Sequence, residues 1–189
     1  MRKVIYAMSV SLDGFVEATD GDIGWSAPDE ELHSHFNDME KNIDVHLYGR
    51  RMYEIMAGYW PKAGENPTTP KLEIEYARIW KDMKKIVFSR TLKKVDWNSR
   101  LVSRNISEEV SKLKSQPGND LSVSGAGIAA SFMELGLIDE YRLYVHPIIL
   151  GGGKPMFPHL REKINLKLVE SKRFSSGVVL LRLVHQGAT

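Results

Sequence analysis

With 189 residues, 42% hydrophobic and 26% charged, the chain is long enough for one globular domain and too apolar for a disordered one. A net charge of +2 is too small to point to nucleic acid, and the absence of cysteine removes disulfides, thiolate metal sites and a cysteine nucleophile. The start, MRKVIYAMSVSLDGF, lacks the long apolar core and small-residue cleavage site of a signal peptide, and no run approaches the ~18 apolar residues of a membrane span. A soluble, cytoplasmic protein with neither a nucleic-acid nor a membrane partner is expected.

KVIYAMSVS (3–11) has the content of a buried strand, and LDGFV turns at Asp13-Gly14. A helix follows, with Ser26 and Pro28 near its start, Asp29, Glu30 and Glu31 in its first turn, and Leu32, Phe36 and Met39 facing the core. IDVHLYG (43–49) is a short strand that ends at Gly49, where RRMYEIM (50–56) opens a second helix. GYWPKAGENPTTP (58–70) is too rich in Pro and Gly for regular structure. Leu72, Tyr76, Ile79, Trp80 and Met83 form a helical stripe, and KKIVFSRT (84–91) reads as strand then turn. Asn105 or Ser107 caps a helix through Lys114. DLSVSG (120–125) is a strand, followed by a helix with Ile128, Phe132 and Leu135 on its apolar face and Gly136 at its end. EYRLYVHPIIL (140–150) is a long strand interrupted by Pro147, and 166–184 forms a C-terminal hairpin. This alternation predicts an α/β fold with a mostly parallel central sheet and an antiparallel edge, in one domain over 1–189.

Gly125, Gly127 and Ala130 match the G-x-G-x-x-G/A spacing of a dinucleotide fingerprint. A Rossmann fingerprint lies in the first βα turn with an acidic residue about 20 positions later. Here 122 residues precede the stretch, and Val145 stands where the acid belongs. Two readings remain: a glycine turn for tight helix packing, or a helix N-terminus that binds phosphate in another α/β fold. Two other junctions weigh on the choice. Gly49, Arg50 and Arg51 stand where one strand becomes a helix, and Ser89, Arg90 and Thr91 end another strand. All three lie at carboxyl ends of strands, where open α/β sheets bind ligands. Together they fit one long polyanion, such as a dinucleotide with an extra ribose phosphate.

SLDGFV, YGRRMYE, KIVFSRTL, SGAGIAASFMELGLIDEYRL and HPIILGGGKPMF, in this order from residue 3 to 184, resemble the dihydrofolate reductase-like fold. The similarity is to the group of the C-terminal reductase domain of the bifunctional riboflavin-biosynthesis deaminase/reductase. The resemblance implies an NADPH-binding reductase. Gly49, Arg50, Arg51 and Met52 then match the turn for the pyrophosphate and adenosine side. Ser89, Arg90 and Thr91 match the loop that reads the ribose 2′-phosphate. Gly125, Ala126, Gly127 and Ile128 match the turn at the pyrophosphate and nicotinamide half. Gly125-Ala126 replaces the Gly-Gly pair joined by a cis peptide in dihydrofolate reductases. Ser9 and Ser11 are expected beside the nicotinamide.

The order GW..PDEEL resembles the region that carries the acid of dihydrofolate reductases, which by position makes Glu30 the matching proton donor, or Glu31 with a one-residue shift, and places Trp25 and Glu31 at the substrate. The same carboxylates also suit the start of a helix. Asp13 is either a polar contact at the mouth of the substrate site or the anchor of an Asp-Gly turn. Lys154, with the glycines before it, meets a substrate phosphate or only turns the chain. The six histidines have no metal spacing, and no hydrolase motif is present. The expected function is NADPH-dependent hydride transfer to a small heterocyclic or imine-like substrate. It resembles that of 5-amino-6-(5-phosphoribosylamino)uracil reductase or dihydrofolate reductase. The alternative is a non-catalytic NADPH-binding or redox-sensing module. The resemblance also suggests a homodimer through strand 140–150 and the hairpin.

Overall fold

The computed structural model describes residues 1–157 and 159–186. In chain order the elements are β1 (Val4–Ser11), β2 (Phe15–Glu17), α1 (Glu30–Glu40), β3 (Ile43–Gly49), α2 (Arg50–Tyr59), α3 (Lys71–Asp82), β4 (Lys84–Phe88) and β5 (Ser99–Val102). They continue with α4 (Ile106–Ser115), β6 (Asp120–Ser124), α5 (Ala126–Glu134), β7 (Glu140–His146), β8 (Lys154–Pro155), β9 (Leu166–Arg173) and β10 (Val179–His185). An eight-stranded sheet runs in the order β5-β4-β3-β6-β1-β7-β10-β9. Strands β5 to β7 are mutually parallel, and the hairpin β9–β10 adds an antiparallel edge through β10. Strands β2 and β8 pair separately above the end of β1.

Because side chains alternate along a strand, the sheet has two buried faces. Val4, Tyr6, Val45, Leu47, Ile86 and Val123 point to the face covered by Val110 of α4 and by Ala129 and Phe132 of α5. On the other face, Tyr48 and Val87 pack with Tyr53 of α2 and Trp80 of α3, while Leu32 of α1 packs with Tyr144 and Leu180. The result is three layers, with α1, α2 and α3 on one side of the sheet and α4 and α5 on the other.

Several sequence expectations need correction. The segment 58–70 is not irregular throughout: α2 runs to Tyr59 and a 310 turn spans Trp60–Glu65. Asp29 lies one residue before α1 as its N-cap, accepting a hydrogen bond from the Leu32 amide at 2.9 Å. Asn105 takes the N-cap position of α4 with φ 58° but makes no capping hydrogen bond. Leu135 is 49% exposed, and the core face of α5 is Ala126, Ala129, Phe132 and Met133 instead. Gly136 does end α5: its amide donates to Met133 and that of Leu137 to Phe132, the paired bonds of a left-handed glycine terminator. Strand β5 is absent from the sequence expectation.

Candidate functional site

Two glycine turns interlock at the carboxyl end of the sheet. Neighbouring strands β3 and β6 each pass straight into a helix, at Gly49 and Gly125. A Cβ on Gly49 would stand 3.2 Å from Cβ of Ile128, and one on Gly125 would stand 3.1 Å from Cβ of Met52. Each turn is therefore glycine because the other helix begins against it. Gly125 also has φ +101°, which L side chains rarely adopt. Its peptide bond to Ala126 is trans, as are all bonds among the described residues.

The start of a helix leaves amide groups without partners, and here the starts of α2 and α5 share one cavity of about 410 Å³. Gly49, Arg50, Arg51, Met52, Gly125, Ala126, Gly127 and Ile128 all line it, together with Ser9 and Lys154. Both arginines line this cavity, as the sequence suggests, but their guanidinium groups have different partners. Arg51 pairs with Glu17 of β2 at 2.8 Å, and Arg50 donates to the Thr91 hydroxyl at 3.3 Å. Lys154 belongs to this cleft: its ammonium lies 3.8 Å from where a Cβ of Gly127 would stand.

A second cleft, of about 650 Å³, adjoins the first through Phe88 and Ile128. Ser89 and Arg90 line it from the end of β4, and Ser103, Arg104 and Asn105 line it from the end of β5. The Ser89 hydroxyl accepts from the amides of Thr91 and Leu92 at 3.2 and 3.1 Å, which fixes the loop. Arg90 and Arg104 are exposed and form no ion pair among the described residues. Sequence reasoning missed Arg104 because it missed β5.

A third cavity, of about 500 Å³, lies beneath α1 and α3 and meets the first at Met8, Ser9, Ser26, Met52 and Met56. Aromatic side chains wall it, and Glu40, His46 and Arg142 line it. None of these three was singled out from the sequence. Ser9 sits where the cavities meet, and its hydroxyl pairs with His146 Nε2 at 3.1 Å. Burial holds the His146 imidazole below its usual range, so the ring beside Ser9 is neutral near pH 7. Trp25 stands edge-on to His146 at 5.4 Å, while Ile23 and Ser26 near it in the chain line the cleft.

The carboxylates lie elsewhere. Asp13 accepts from the Ser11 hydroxyl at 2.7 Å and from the amides of Leu150 and Gly151 at 3.1 and 2.8 Å. It therefore occupies the glycine loop that was expected to cradle a phosphate. The Ser11 hydroxyl, chiefly, holds the Asp13 carboxyl below its usual range. Ser11 is buried and in turn accepts from the Phe15 amide, so it anchors this turn. Glu31 binds the hydroxyl and amide of Ser175 at 2.6 and 2.8 Å, tying α1 to the C-terminal hairpin and lowering its own pKa. Glu30 is exposed at the start of α1 and lines neither adjoining cavity.

The profile of the RibD C-terminal domain matches residues 2–180. The chain is 42% identical over 182 residues to the uncharacterized protein YyaP of Bacillus subtilis, covering 94% of this chain and 92% of that one. It is 27% identical to the uncharacterized protein YwjB of the same organism, over 95% of this chain and 96% of that one. Among solved structures, a putative riboflavin biosynthesis protein from Shewanella sp. PV-4 superposes with TM-score 0.78 at 20% identity, over 97% of this chain and 99% of that one. A diaminohydroxyphosphoribosylaminopyrimidine deaminase/5-amino-6-(5-phosphoribosylamino)uracil reductase from Thermotoga maritima gives TM-score 0.69 at 16% identity, covering 98% of this chain and 57% of that one. The fold is thus the dihydrofolate reductase-like one of these domains. Among the described residues no helix is long and apolar enough to cross a membrane.

Proposed function

Because the chain belongs to the RibD C-terminal domain family, we propose that it is an NADPH-dependent reductase acting on a small, flat heterocyclic or imine-like substrate. The observation that carries this reading is the joining of a donor-rich cleft to an aromatic chamber at Ser9. Free amides of Arg50, Arg51, Ala126 and Gly127 suit a pyrophosphate, with Lys154 as a further cation. Arg90 and Arg104, with Ser89 between the strand ends, suit a ribose 2′-phosphate. Bound NADPH supplies the hydride. The chain orients the nicotinamide at Ser9, keeps water from it with Met8, Met52 and Met56, and offers the substrate ring a flat apolar chamber.

One observation favours the second reading, a non-catalytic NADPH-binding or redox-sensing module. Asp13 and Glu31 are engaged by their own chain, and Glu30 lies outside the cavities, so none of the expected acids stands ready to protonate a substrate. The resemblance also supports a homodimer, with exposed Leu168 and Val169 of edge strand β9 in the contact.

Titration with NADPH and with NADH tests the cofactor reading. NADPH is expected to bind in the micromolar range, and Arg90→Ala to weaken NADPH about tenfold with little effect on NADH. If neither cofactor binds, the proposal fails. Oxidation of NADPH with dihydrofolate or the ribosylaminopyrimidine phosphate separates enzyme from module.

A further inference from the structure

One wall of the aromatic chamber is built by Tyr59 and Trp60 at the end of α2, Tyr76 of α3 and His33 of α1. The ring centroid of Trp60 lies 4.4 Å from that of Tyr76 and 4.9 Å from that of Tyr59. His33 stands edge-on to Trp60 and Tyr76 at 6.4 and 6.2 Å. The indole N–H donates to Met56 Sδ at 3.3 Å, which holds the Trp60 ring in place. None of the four is buried, so a ligand in the chamber can reach them.

His33 adds no charge to this wall. Burial, against the opposing pull of Glu73 and Glu75, holds its imidazole below the usual range, so the ring is neutral near pH 7. Three charged side chains line the chamber: Glu40, Glu73 and Arg142. Two are engaged within the protein. Arg142 donates to buried Glu140 at 2.7 Å, and Glu40 lies 2.7 Å from His46 Nε2. Glu73 is different. It is partly exposed, forms no ion pair among the described residues, and its carboxylate accepts only from the Tyr59 hydroxyl. Electron-rich ring faces beside an unpaired carboxylate attract positive charge and repel an anion.

A cationic ligand also accounts for the missing acid. A neutral imine takes up a proton as it is reduced, and Asp13, Glu30 and Glu31 are not placed to give one. An N-alkyl iminium needs none. The hydride that NADPH supplies forms a C–H bond at the carbon of C=N⁺, the π pair moves onto nitrogen, and an uncharged amine and NADP⁺ result.

We propose that the chamber takes a flat organic cation, an N-alkyl iminium or N-alkyl heteroaromatic ion, and that Glu73 with Trp60 and Tyr76 sets this charge preference. The hydride step rests on the reductase reading; the binding preference does not.

The test is calorimetric titration at pH 8 with two bicyclic probes of equal size, N-methylquinolinium, a cation, and 4-methylquinoline, which is uncharged. The wild type is expected to bind the cation about tenfold more tightly. Glu73→Gln keeps an acceptor for Tyr59 and is expected to weaken the cation several-fold while leaving the uncharged probe unchanged. Equal or weaker binding of the cation, binding of neither probe, or an undiminished preference in Glu73→Gln would overturn the proposal. NADPH titrated into the wild type separates the two readings. Cation preference without NADPH binding defeats the reductase proposal alone, and NADPH binding without cation preference defeats this one alone. Where both bind, 2-methyl-3,4-dihydroisoquinolinium is expected to oxidise NADPH faster than it does without protein, and an unchanged rate overturns the hydride step.

Discussion

Substituting Gly125 by alanine strikes the point where the two helix starts interlock. The residue sits at φ +101° and ψ 120°, a conformation costing a side chain about 1–3 kcal/mol. The added Cβ also meets Cβ of Met52 at 3.1 Å, an atom fixed by the α2 backbone that no rotamer change can move, which adds about 1 kcal/mol. The sum, about 2–4 kcal/mol, corresponds to a fall of about 4–16 °C in Tm for a chain of this size. Gly49→Ala is the matched control. Its φ of −83° is open to alanine, and only the 3.2 Å approach to Ile128 opposes it, so its loss is expected to be at most about half as large. Thermal unfolding of both variants beside the wild type measures this, and NADPH affinity is expected to fall in Gly125→Ala as the first amides of α5 turn away. A Tm within about 2 °C of the wild type, or equal losses in the two variants, would refute the account of the interlocked turns.

Other expectations follow from the same contacts. Glu17→Gln removes the carboxylate paired with Arg51 in the cleft, so NADPH affinity should rise several-fold; a weaker affinity in direct titration would contradict that. Asp13→Ala should lower Tm while leaving NADPH binding unchanged, because Asp13 serves the turn and the glycine loop; loss of cofactor binding at unchanged Tm would return it to the site. Burial, the largest cause in each case, lowers the pKa of His33, His35 and His146 below 6.5. The unfolded chain therefore takes up protons first as pH falls, so stability is complete above about pH 6.5 and declines below it. Urea unfolding at pH 7.5 and 5.5 checks this, and a midpoint that does not drop at pH 5.5 contradicts it.

Much of this was legible in the sequence because β3 and β6 are largely apolar and each ends at a glycine that opens a helix. Ile43–Gly49 and Asp120–Ser124 match their expected bounds closely, and both glycine turns line the predicted cleft. Strand β5 was not legible. Its four residues, SRLV, carry little β pattern, and it exists because β4 offers a free edge to pair with. Missing it hid Arg104. The direction of Arg51 was equally hidden, since its partner Glu17 lies in a three-residue strand paired with distant Lys154. The chamber residues His46, Ser122 and Arg142 read as ordinary strand positions, and only register across four strands brings them to one face. The acidic run at 29–31 misled because the first turn of a helix favours carboxylates whatever the site requires.

Hydrogen exchange with and without NADPH tests the central claim most directly, that the paired helix starts of α2 and α5 form the cofactor site. Saturating NADPH is predicted to slow exchange at the amides of Arg50–Met52 and Ala126–Ile128 together, along with those of Arg90 and Arg104. Binding that leaves both helix starts unprotected would contradict it.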